Sequence, residues 1–265
     1  MYDILIAVGI VAAIGLIVGL VLAVASAVFS VPVDEKAESI EKVLPGANCG
    51  ACGFSGCSGY AKALSKGEAK VGLCSPGGAA AAAAIADILG VSSEGVEYKA
   101  ALVHCMGSFD NTGNKMNYQG VRSCASAIQL DGGVGSCYYG CMGFGDCAAV
   151  CEHNAITVCN GVASINPELC VGCKKCVAAC PKHIISFVGK KKQAVVRCSN
   201  CDKGAETRKV CKVGCIGCMM CAKACPVKAV RIENFHAVVD SEKCIGCGKC
   251  AEVCRQGCIT LFEPE

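Results

Sequence analysis

The chain has 265 residues, of which 27 are cysteine, none is tryptophan and only 5% are aromatic. That excludes one large aromatic core and favours several small units held together by bound metal. The formal charge of +3 counts every cysteine as a neutral thiol, and thiolate ligands on a metal would reverse it, so the charge makes no case for a nucleic-acid partner.

In chain order, Ile4 to Val33 carries no charge, and Ser26 and Ser30 are its only clearly polar side chains. The run is long enough to cross about 30 Å of hydrocarbon. Residues 1–33 are therefore expected to form a single transmembrane anchor helix in membrane lipid. A cleaved signal peptide is the alternative, but no Lys or Arg precedes the run and it is long for such a segment. Lys36 and Lys42 follow it. The positive-inside rule then predicts a single-pass protein of the inner (cytoplasmic) membrane with its bulk on the cytoplasmic side.

Residues 34–95 read as a small domain with cysteines at C-x2-C-x4-C-x16-C: Cys49, Cys52, Cys57 and Cys74. Such a set can hold one [4Fe-4S] cluster, with glycines letting the backbone approach it. Tyr60 to Leu64 reads as a short helix, and Ala79 to Leu89 as a strong one stopped by Gly90. Residues 96–134 read as a linker with two isolated cysteines, Cys105 and Cys124, either of which suits a buried apolar position.

Residues 135–189 and 213–265 read as two copies of one module. In the second, Cys215, Cys218, Cys221 and Cys225 make C-x2-C-x2-C-x3-C-P, and Cys244, Cys247, Cys250 and Cys254 repeat the spacing. This is the ligand run of two-cluster bacterial ferredoxins, in which the fourth cysteine of each run ligates the other cube. The crossing predicts Cys215, Cys218, Cys221 and Cys254 on one cube and Cys244, Cys247, Cys250 and Cys225 on the other. In the first module the run Cys137, Cys141, Cys147, Cys151 has wider gaps, and Cys170, Cys173, Cys176, Cys180 is regular. The same logic predicts Cys137, Cys141, Cys147 and Cys180 on one cube, and Cys170, Cys173, Cys176 and Cys151 on the other. Asn160-Gly161 marks a hairpin turn between apolar strands. Zinc is the alternative, but its four-cysteine sites use two separated C-x2-C pairs. Five oxidised cubes would bring the net charge to roughly −7.

Between the modules, residues 190–212 form a basic segment in which Lys190, Lys191, Lys192 and Arg197 read either as a solvated surface or as a docking patch for an acidic ferredoxin. Cys198, Cys201 and Cys211 fall here and supply three ligands. A sixth cluster would need Cys105 or Cys124 as well. Cys159 and Cys258 read as packed thiols. No dinucleotide fingerprint occurs: Gly143-Phe144-Gly145 lies inside a cysteine run. No flavin or NAD site is expected in this chain.

The apolar N-terminal run, then Leu44-Pro45-Gly46-Ala47-Asn48-Cys49-Gly50-Ala51-Cys52-Gly53, then tandem cysteine modules resemble the B subunits of the Rnf complex, the ion-translocating ferredoxin:NAD+ oxidoreductase. Val103-His104-Cys105, Val121-Arg122-Ser123-Cys124 and Gly145-Asp146-Cys147 carry the likeness further. It departs at Glu152 and Arg255, where proline often follows the last cysteine. The resemblance implies a subunit that takes electrons from reduced ferredoxin and relays them to partner subunits bearing flavins, the NAD site and the ion path. A relay subunit of another membrane hydrogenase or dehydrogenase is the alternative. The expected fold class is α+β: one transmembrane helix, a four-cysteine domain and two two-cluster ferredoxin-like modules.

Overall fold

A computed structural model describes residues 2–28, 34–92, 99–189 and 191–263. Helix α1 covers Tyr2–Val28, and its described side chains are exposed almost throughout. Among the described residues no helix is long and apolar enough to cross a membrane. The expected transmembrane helix over 1–33 is therefore withdrawn from the fold class, and residues 29–33 of that span lie outside the described residues.

Three helices follow: α2 (Glu35–Val43), α3 (Cys57–Ser65) and α4 (Gly78–Leu89). Asp34 caps α2 by accepting the Ala37 N–H at 3.1 Å. Gly90 ends α4 in the left-handed conformation, φ 68°. Ile40 of α2, Tyr60 and Leu64 of α3 and Ile85 of α4 meet in one core. Each is worth roughly 1.5–3 kcal/mol on burial. The alanines at 81 and 82 are buried and let α4 approach closely.

The remainder is two modules of one design. Strand β1 (Lys99–Val103) opens the first. Helices α5 (Cys124–Ala127) and α6 (Asp146–Ala149), strands β2 (Ile156–Cys159) and β3 (Val162–Ile165), helix α7 (Lys175–Ala179) and strand β4 (Ile185–Gly189) complete it. The second runs β5 (Gln193–Val196), α8 (Gly204–Val210), α9 (Met220–Ala224), β6 (Val230–Glu233), β7 (His236–Val239), α10 (Lys249–Glu252) and β8 (Ile259–Phe262). In each, the first strand pairs antiparallel with the last, β1 with β4 and β5 with β8, while β2–β3 and β6–β7 are hairpins. The segment read as a linker thus contributes β1, and the basic segment contributes β5.

The outer strands are two-sided. Ala101, Val103 and Ile185 face the first module's core, and Ala194, Val196 and Ile259 face the second's. Their alternate residues Ala100, Leu102, Val188, Val195 and Phe262 share a third core between the modules. The period of two along a strand places these residues on opposite faces.

Candidate metal centres

The four-thiol groups grow from this frame. In the N-terminal domain, burial and the neighbouring Cys57, Cys52 and Cys49 thiolates push the Cys74 thiol up. All four cysteines of the sequence motif are therefore neighbours. Asn48 Oδ1 accepts the Cys57 N–H at 2.8 Å and holds the loop against α3.

In the second module, burial and Cys215, Cys218 and Cys254 push Cys221 up to about 11. Those four cysteines line one cavity, with Cys258 beside them. The neighbouring Cys258 thiol holds Cys215 below the usual thiol range, and Cys258 is itself pushed up by that partner. Cys250 is raised by burial and by Cys244 and Cys225. In the first module, burial and Cys170, Cys173 and Cys151 push Cys176 up to about 11, and these four line one cavity. In each of these groups the fourth cysteine of one run stands beside the other.

The remaining group differs from the spacing. Burial, Cys141, Cys124 and Cys180 push Cys147 up to about 12, and Cys124, Cys141, Cys147 and Cys180 line one cavity. Cys124 stands where Cys137 was expected. Cys137 lines a different cavity with Cys105, Cys198 and Cys211. Cys201 does not join it: its thiol faces the Ser199 carbonyl at 3.5 Å and His236 Nδ1 at 3.7 Å.

A signal for this was in the sequence. Cys141, Cys147, Cys151, Cys170, Cys173, Cys176 and Cys180 align without a gap, at one constant offset, on Cys215, Cys221, Cys225, Cys244, Cys247, Cys250 and Cys254. On that alignment the first module is a regular run in which Phe144 stands at the position of Cys218. The backbone agrees: Gly143 (φ 72°) matches Gly217 (φ 64°), and Lys174 (φ 65°) matches Gly248 (φ 79°). A Cβ at Gly143 would lie 2.6 Å from the Gly161 oxygen, and one at Gly217 2.5 Å from the Phe235 oxygen. Both turns need glycine for the same close approach.

Cys124 comes from the long excursion between β1 and Cys141, and Asp146 places it. Its carboxylate accepts the Cys124 and Ala125 N–H groups and the Ser123 hydroxyl, each at 2.9 Å. Burial opposes ionisation, but these three donors together hold the Asp146 carboxyl below the usual carboxylate range. Phe144 turns outward onto Tyr118, ring centroids 5.5 Å apart, and anchors the same excursion.

The donor sets suit polynuclear clusters. Among the described residues no three His, Cys, Asp or Glu side chains converge on a single ion. Backbone N–H groups point at the sulfurs instead: Ala101 at Cys170 (3.4 Å), Ala194 at Cys244 (3.5 Å), Ala229 at Cys225 (3.2 Å) and Ala237 at Cys215 (3.3 Å). Donors aimed at sulfur favour thiolate and tune a bound cluster. Buried thiols with raised pKa release protons when metal takes their place.

Of the basic patch, Lys191 is exposed, Lys192 is exposed and pairs with Glu263 at 2.5 Å, and Lys190 lies outside the described residues. Arg197 is turned inward, its Nε donating to the Val103 carbonyl at 2.8 Å. Its charge serves the module interface.

Family models match three stretches: "Putative Fe-S cluster" over residues 44–76, "4Fe-4S binding domain" over 163–186 and "4Fe-4S dicluster domain" over 214–258. The model over the first module leaves out the half that Phe144 interrupts. The chain is similar, at 41% identity over 258 residues, to the B subunit of the Na(+)-translocating ferredoxin:NAD(+) oxidoreductase complex of Acetobacterium woodii, covering 97% of this chain and 78% of that one. It is 39% identical over 229 residues to the B subunit of the proton-translocating ferredoxin:NAD(+) oxidoreductase complex of Clostridium ljungdahlii, 86% of this chain and 81% of that one. It is 37% identical over 237 residues to the B subunit of the ion-translocating oxidoreductase complex of Methanosarcina acetivorans, 89% of this chain and 90% of that one.

Proposed function

The chain belongs to the B subunits of the Rnf-type ion-translocating ferredoxin:NAD+ oxidoreductase complexes, and from that premise we propose how its residues serve the relay. It is an iron–sulfur electron-transfer subunit of the complex, carries multiple [4Fe-4S] clusters, and has the other subunits of the complex as partners. Bound clusters of this type exchange single electrons.

In our reading Cys49, Cys52, Cys57 and Cys74 hold one cluster. Cys170, Cys173, Cys176 and Cys151 hold a second, and Cys215, Cys218, Cys221 and Cys254 a third. Cys244, Cys247, Cys250 and Cys225 hold a fourth. The fifth takes Cys141, Cys147 and Cys180, with Cys124 in place of Cys137. The observation that supports the reading is the crossed grouping: Cys254 beside Cys215, Cys218 and Cys221, and Cys151 beside Cys170, Cys173 and Cys176. Crossing ties the two halves of a module together and holds its cubes as neighbours.

Reduced ferredoxin is the donor in this reading. It docks on the cytoplasmic side of a membrane-associated complex, at the exposed Lys191 and Lys192. The partner subunits carry the flavins, the NAD site and the ion path. The test is rapid mixing of the anaerobically purified complex with reduced ferredoxin while cluster absorbance is followed. Bleaching of this subunit's clusters at least as fast as NAD+ reduction is expected; NAD+ reduction without it would overturn the relay. Reversing Lys191 and Lys192 to Glu should slow bleaching about tenfold at low salt and little at high salt. An unchanged rate at low salt would move the docking site elsewhere.

A further inference from the structure

We propose that Cys105, Cys137, Cys198 and Cys211 are the ligands of a further [4Fe-4S] cluster, seated between the two modules. The proposal rests on the reading of the chain as a multi-cluster relay and adds a site that no ferredoxin run contains.

The four thiols line one cavity at the junction, and they come from places that match. Cys105 lies two residues past the end of β1, and Cys198 two residues past the end of β5. Each sulfur accepts two backbone N–H groups from equivalent positions. Cys105 Sγ takes Gly107 and Cys141, both at 3.3 Å; Cys198 Sγ takes Asn200 at 3.5 Å and Cys215 at 3.3 Å. Around them the modules grip each other reciprocally. His104 Nδ1 meets the Val196 carbonyl at 2.6 Å, and Arg197 Nε donates to the Val103 carbonyl at 2.8 Å. The site therefore sits on an approximate two-fold relation between the modules, completed by Cys137 from the first and Cys211 from the second.

A second observation points independently to a ligand at Cys137. Asn200 is 1% exposed, and its Nδ2 is aimed at Cys137 Sγ at 3.4 Å. The amide cannot be turned over without loss, because its Oδ1 already accepts the Asp202 N–H at 2.7 Å and the Thr207 hydroxyl at 3.1 Å. A buried donor held on a sulfur favours the thiolate that a cluster requires. Glycines leave the room. A Cβ at Gly107 would stand 3.4 Å from Cys105 Sγ and 3.9 Å from Cys211 Sγ, and one at Gly140 would stand 3.7 Å from Cys137 Sγ.

Position defines the role. The Cys141 N–H binds Cys105, and Cys141 also belongs to the first module's group; the Cys215 N–H binds Cys198, and Cys215 belongs to the second's. The site is thus joined by one hydrogen bond to a group in each module. Cys105, Cys137, Cys198 and Cys211 would hold the cluster there, and it would supply a one-electron centre between the two modules' groups, with no bond made or broken at the cysteines.

The experiment is iron and acid-labile sulfide per chain on the anaerobically purified complex, with Mössbauer spectra of this subunit. About 24 of each in this chain is expected, against about 20 for five cubes. Cys137→Ala and Cys211→Ala should each lower the count by about four, while Cys201→Ala leaves it unchanged. A wild-type count near 20 overturns the proposal, as does one equivalent of zinc beside it. So does a Cys137→Ala loss with no loss in Cys124→Ala, which would return Cys137 to the first module. The wild-type count needs no variant to fold. A count near 24 without reduction by ferredoxin would sink the relay and leave this site standing; near 20 with rapid reduction would do the reverse.

Discussion

The two modules share a ladder, a hairpin and a crossed cysteine pattern, and they part at one corner. Where the second has Cys218 and Met220, the first has Phe144 and Asp146. Phe144 packs on Tyr118 and Asp146 clamps the start of α5. Both departures serve the excursion that delivers Cys124 to the vacated corner. The comparison teaches that a four-sulfur site is defined by positions in space. A ligand lost from the run can be replaced by one far away in sequence, provided other residues pin it down. Cys137 instead lines the cavity shared with Cys105, Cys198 and Cys211.

The sharpest break of this comparison is Cys124→Ala, which should cost the first module about four irons per chain. Adding Phe144→Cys should restore them, because the second module uses that corner directly. Iron retained in the single variant, or no recovery in the double, would end the equivalence.

Next in size is Asp146→Ala. It strips the charged acceptor from the Cys124 and Ala125 N–H groups, and hydrogen bonds to a charged group are worth about 1.5–3 kcal/mol each. A lower melting temperature and faster iron loss to a chelator are expected, while the equivalent change Met220→Ala affects neither through this route. Equal behaviour of the two variants in chelation kinetics would remove the clamp from the account.

Gly143→Ala and Gly217→Ala sharpen the likeness between the modules. Each puts a Cβ within 2.6 Å of a backbone oxygen at positive φ, and each should cost about 1–3 kcal/mol. Denaturation of the two variants should give matching losses; a neutral result at either glycine would show that its turn is not held as its counterpart is. The smallest effect belongs to Lys192→Ala. Its pair with Glu263 has both side chains more than half exposed, so stability should change by at most about 1 kcal/mol.

The sequence by itself determined the chemistry. Cysteine runs at x2-x2-x3 spacing state the cluster type, because close spacing along one loop is already spatial proximity, and the crossing follows from them as a prediction. Asn160-Gly161 announced its hairpin for the same local reason: both residues adopt positive φ, 49° and 79°. The apolar run from Ile4 was equally plain as composition, yet among the described residues no helix is long and apolar enough to cross a membrane. Cys105, Cys124, Cys137, Cys198 and Cys211 were visible as residues but not as partners. Cys137 stood four residues before Cys141 and was read into its run, although the constant offset between the modules names Phe144 as the missing corner. Only the tertiary structure decided those groupings. β1 pairs with β4, β5 with β8, and the two sheets pack back to back through Leu102, Val195 and Phe262. That packing brings the ends of β1 and β5 together, and with them Cys105 and Cys198, two thiols whose meeting depends on burial between modules and on no local spacing at all.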